Sequence, residues 1–109
     1  MELLWYFLAG FFGWNAVPHL VKGITGQNHM TPFKRVSSPT LNVAWALTNL
    51  LLALFMFGLA TGEGGLVLPW DAGLTGLNLW ATLAGAAAVA FWLASFWSNP
   101  KARLPWHKD

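Results

Sequence analysis

Two stretches of this chain, Leu41–Ala60 and Leu77–Trp97, contain no ionisable side chain. A third, Leu3–Val21, is interrupted mainly by Asn15, Pro18 and His19. An α-helix rises about 1.5 Å per residue, so about 20 apolar residues cross a hydrocarbon layer of about 30 Å. Lipid supplies no hydrogen-bond partners, and a helix satisfies its own backbone. The expected fold is therefore an all-α integral membrane protein. It has three transmembrane helices, about 3–21, 41–60 and 77–97, packed as an antiparallel bundle in one domain over 1–109. The segments 22–40 and 61–76 connect them.

Composition narrows the alternatives. Hydrophobic residues are 56% and charged residues 9%, against roughly 25% charged in soluble domains. Such a chain lacks the polar material for a wet surface, and it is too apolar for disorder. Nucleic acid is not an expected partner; the lipid bilayer is. With no cysteine, disulfide scaffolds and thiolate metal sites are excluded.

The ends carry physical stops. Ser38-Pro39 reads as an N-cap followed by Pro at the first helical position. Gly58 and the Thr61–Gly65 run end the second helix, and Asn99-Pro100 ends the third. Pro18 costs a helical hydrogen bond, so a kink or early exit is expected there. Met1-Glu2 is acidic rather than basic, the following run is bulky and aromatic, and no small-x-small cleavage site is followed by a soluble domain, so the first helix is expected to be retained rather than cleaved as a signal peptide. Leu66–Trp70 is too short to span and is expected at the interface.

Charge placement sets an expected orientation. Lys22, Lys34 and Arg35 lie in the first connection, and Lys101, Arg103 and Lys108 in the C-terminal tail. With three spans these segments share one face, opposite Glu2, Glu63 and Asp71. The positive-inside rule makes the basic face cytoplasmic and the N-terminus external. Trp5, Trp70 and Trp80 then fall near the outer interface, Trp45, Trp97 and Trp106 near the inner one, and Trp14 and Trp92 deeper. Lys22, Lys34, Arg35, Lys101 and Arg103 are candidate contacts for lipid headgroups or a partner.

Within the spans the informative residues are small or uncharged polar ones. Asn42, Ala46, Asn49 and Ala53 share a face of the second helix, as helix-packing stripes do. Ala86, Ala90 and Ala94 form a four-residue-spaced row on the third, with Ala81 and Gly85 nearby. Ala9 and Gly13 offer a similar pair on the first. On this reading Ala90→Leu disturbs packing and Ala60→Leu matters little. His19 lies one turn from Asn15 and three residues before Lys22. It is a candidate haem ligand or quinone contact with Asn15, set against an interfacial His bonded to backbone freed by Pro18. No paired-His metal spacing is present. The Pro18–Arg35 segment holds the densest polar chemistry, and Gly23 and Gly26 there lack a phosphate-loop pattern.

Length and span count resemble bacterial diacylglycerol kinase and the membrane-anchor subunits of succinate dehydrogenase. Pro18-His19-Leu20 is similar to a triplet in one of the latter. This chain lacks the intramembrane carboxylate that the first implies and the His in a later span that the second implies. The four-span small multidrug transporters are similar in length but need an embedded Glu absent here. The expected role is a small non-catalytic protein of a bacterial inner membrane, an accessory or scaffold subunit that packs with itself or with a larger complex and carries no cofactor. The alternatives are a haem- or quinone-binding anchor of a redox complex, and a small oligomeric channel or transporter lined by Asn42 and Asn49.

Overall fold

The computed structural model describes residues 1–107; Lys108 lies outside them. It is all-α. Helix α1 spans Glu2–Ile24, α2 Pro39–Thr61 and α3 Gly76–Trp97, and a single 3-10 turn, Pro69–Asp71, lies in the second connection. Two of these helices, α2 and α3, are long and apolar enough to cross a membrane. Local chemistry explains the boundaries. The Ser38 side chain accepts from Leu41 N–H with Pro39 behind it, and Gly62 closes α2 at φ 82°, a left-handed value that glycine adopts without penalty. Helix α1 continues through Pro18 to Ile24 rather than leaving at the proline.

The helices do not form a closed bundle of three equal contacts. Helix α1 packs against both α2 and α3, whereas α2 and α3 scarcely touch. The α1–α3 seam is a backbone contact. A Cβ on Gly10 would run into the Thr82 carbonyl, and one on Gly85 into the Phe7 carbonyl. Only glycine permits that approach, which is how small residues draw apolar helices together. The expected α3 row lies beside this seam rather than on it. The seam centres on Gly85 and Val89, both buried, with Ala86 and Ala90 half-buried beside it and Ala94 exposed.

Along the α1–α2 seam Asn42, Ala46, Asn49 and Ala53 are all buried. At the end of the molecule holding the start of α1, the core is wholly apolar. Tyr6, Ala9, Phe57, Ala60, Val67 and Ala72 pack together. The second connection folds back into it, with Val67 N–H bonded to the Leu54 carbonyl at 3.1 Å. The Tyr6 hydroxyl donates to the Ala72 carbonyl at 2.7 Å. Ala60 is 4% exposed here, so a leucine at this site overpacks a filled core. That reverses the tolerance expected from sequence.

Candidate functional site

The opposite end is built differently. Asn15 and His19, one turn apart on α1, face Asn49 and Asn42 on α2. Asn15 Nδ2 donates to Asn49 Oδ1 at 3.0 Å, and Asn49 Nδ2 donates back to the Trp45 carbonyl at 2.9 Å. His19 Nδ1 lies 2.8 Å from Asn42 Oδ1. These two polar rungs cross an otherwise apolar seam.

The Asn42 amide fixes the state of His19. Its Nδ2 meets the carbonyls of His29, Ser37 and Ser38 at 2.9, 3.2 and 3.0 Å. Only an amide NH₂ can serve three carbonyls, so the other terminal atom is the oxygen, which accepts. His19 Nδ1 must then carry the proton and donate. In the neutral ring Nε2 holds the lone pair, and it has no hydrogen-bond partner among the described residues although the side chain is 6% exposed.

Beside the rungs is a cleft of about 230 Å³. Phe11, Asn15 and His19 of α1 form its floor. Trp45 of α2 forms one wall, and Trp92, Leu93, Phe96 and Trp97 of α3 the other. It lies where α2 and α3 fail to meet. Met30, Thr31, Pro32 and Leu104 roof it.

That roof is a folded element. His29 and Ser37 exchange backbone hydrogen bonds at 3.2 and 3.1 Å, and buried Thr31 and Ser37 share a hydroxyl contact at 2.7 Å. The C-terminal tail is clipped onto it. Arg35 donates to the Pro100 and Ala102 carbonyls, both at 3.3 Å, and Trp106 Nε1 donates to the Pro32 carbonyl. Leu104 N–H donates to His107 Nδ1, so the opposite nitrogen, Nε2, carries the proton and donates to the Thr31 carbonyl at 2.8 Å.

His29 packs on Trp97 with ring centroids 4.4 Å apart and on His19 at 5.3 Å. Its Nε2 and the Trp97 indole N–H are buried without a partner among the described residues. Burial, with His19 and Lys22 nearby adding repulsion, holds the His29 imidazole down to about 4, so it is neutral at pH 7.

Sequence reasoning singled out His19, Asn15, Asn42 and Asn49, and the fold brings all four to one seam. It did not single out His29, Trp97, Thr31, Ser37 or His107 as members of a shared structure. Arg35 is spent on the tail, and Lys22 is bonded to Gln27 at 3.0 Å. Lys34, Lys101 and Arg103 are exposed. No group of three His, Cys, Asp or Glu side chains among the described residues could hold a metal ion. No family model matches the chain, and neither a characterised protein nor a solved structure is detectably similar to it.

Proposed function

We propose that the chain is a three-span protein of a bacterial inner membrane, with α1 as the middle span and the basic end cytoplasmic. It acts without catalysis, as an accessory or scaffold subunit that packs with copies of itself or within a larger complex. The observation behind this reading is the outer surface of α2 and α3. Leu47, Leu50, Leu51 and Phe55 are exposed on one, and Leu77, Trp80, Leu83 and Phe91 on the other. Apolar faces of that extent are covered by lipid or by other helices. The middle position of α1 supports its being a span as well. Its 23 residues reach about 35 Å at 1.5 Å each, and its Asn15 and His19 turn onto α2 rather than outward. The Lys and Arg bias supports the orientation. The test is extraction: the protein stays with membranes through an alkaline wash, and mild detergent releases it with itself or a partner. A lone monomer in mild detergent contradicts the scaffold role.

A second reading has its own support: a membrane anchor that holds a quinone or haem through His19 and Asn15. The free lone pair of a buried imidazole at the floor of an aromatic cleft favours it. The cleft, about 230 Å³, is below the range of about 300–1,000 Å³ typical of drug-sized ligands. It suits a single ring better than a tetrapyrrole. The pore reading gains no such support, because Asn42 and Asn49 spend their amides within the chain. A colourless preparation with no affinity for any quinone-type molecule contradicts the anchor reading.

A further inference from the structure

The hydrogen-bonding sense of the cleft is fixed, and that selects a ligand chemistry. The argument rests on the second reading above. His19 is 6% exposed, and Asn42 orients it so that an acceptor is left over. Asn15, one turn away, gives one amide hydrogen to Asn49, and its second N–H and its Oδ1 have no partner among the described residues. At the floor His19 thus offers only a lone pair, whereas Asn15 offers both an acceptor and a donor. Around them stand Trp45, Trp92 and Trp97, whose faces suit a flat ring. The cleft is lined by Trp45 of α2 and by Trp92, Leu93, Phe96 and Trp97 of α3, two helices that scarcely touch, and Met30, Thr31, Pro32 and Leu104 complete its lining.

We propose that this cleft binds an aromatic hydroxyl compound, a quinol or phenol drawn from the bilayer, whose O–H donates to His19 Nε2. The mainly apolar, aromatic lining suits a lipid-soluble molecule. The His19 lone pair requires it to bring a proton donor. A fully oxidised quinone, or a methyl ether, carries only acceptors; it can take the spare Asn15 N–H but leaves the His19 lone pair without a donor. Turning the imidazole over to supply an N–H would deprive the Asn42 oxygen of its donor. Asn42 is therefore a positioning residue: it sets which redox form of such a ring the cleft prefers.

The experiment uses the full chain in lipid nanodiscs and three probes: a decyl-tailed hydroquinone, its oxidised quinone and its dimethyl ether. Binding is read from the ring nitrogen resonances of His19. In the free protein these should report the proton on Nδ1. The hydroquinone should bind about tenfold or more tighter than the ether or the quinone, the factor expected when a buried acceptor gains or lacks its donor. His19→Phe should remove that difference while leaving weak binding of the ether, read then from the Trp signals. Leu104→Trp, which fills the cleft without touching the polar rungs, should abolish binding of all three with the helix content unchanged. Equal affinity for all three probes, or a free ring protonated on Nε2, overturns the hydroxyl assignment. Failure of every probe to bind overturns the ligand-binding reading beneath it.

Discussion

The two ends of this molecule solve the same problem in opposite ways. At one, the chain fills its interior: Phe57, Val67 and Ala72 close on Tyr6 and Ala9, and one phenolic hydrogen bond ties the connection down. At the other, α2 and α3 stand apart, polar rungs replace apolar contact, and an aromatic cleft remains beneath a folded roof. The filled end needs only shape. The open end needs a connected set of hydrogen bonds, since each buried polar atom left alone costs about 1–3 kcal/mol. The contrast is therefore between an end that is filled and an end that keeps a cleft beside a network of buried amides and imidazoles.

Substitutions can break this contrast. The largest effect falls on the filled end. Phe57→Ala should lower stability by about 3–5 kcal/mol, the usual cost of emptying an aromatic core site. Leu104→Ala, which only widens an existing cleft, should cost well under half of that in the same thermal unfolding series in detergent. Next is Asn42→Leu, which strands the His19 N–H and takes a second donor from the His29, Ser37 and Ser38 carbonyls, each of which keeps a backbone one; a loss of about 1–3 kcal/mol is expected. Tyr6→Phe removes one hydrogen bond from the filled end and should cost about 1 kcal/mol without moving either connection.

Acid should separate the ends most finely. The imidazole of His29 is held down to about 4 from an ordinary 6.5, first by burial and then by His19 and Lys22. Its unfolded form takes up a proton more readily than its folded form, so this contribution is complete above pH 6.5 and is lost as pH falls toward 4. Amide exchange, corrected for its intrinsic pH dependence, should therefore accelerate across residues 29–37 over that interval while residues 57–72 stay protected. Equal acceleration at both ends would mean that His29 is not the sensitive group.

Much of the helical frame can be read from the residues, and little of the arrangement can. Long uncharged runs announce helices, and Ser38-Pro39 announces the start of α2. The polar residues of α1 and α2 are legible because amides within an apolar run have few places to go but against each other. The middle position of α1 is not legible, since in an apolar environment the outer face of a helix is as hydrophobic as its inner one. On α3, alanines lie on several faces, and four-residue spacing chose the Ala86–Ala94 row. The backbone contact at Gly85 instead depends on Gly10 of another helix. The roof was invisible for a different reason. Its clips join residues more than sixty positions apart, as in Arg35 to Pro100 and Thr31 to His107, and no periodicity records such pairings.

The account depends most on α1 crossing the bilayer between its two neighbours. The chain has no cysteine, so single introduced ones report unambiguously. Glu2→Cys and Gln27→Cys should be compared in intact bacterial cells with a membrane-impermeant maleimide. The account predicts that Glu2→Cys is labelled from outside and Gln27→Cys only after the cells are opened. Labelling of both from the same side would show that α1 does not span, and would contradict it.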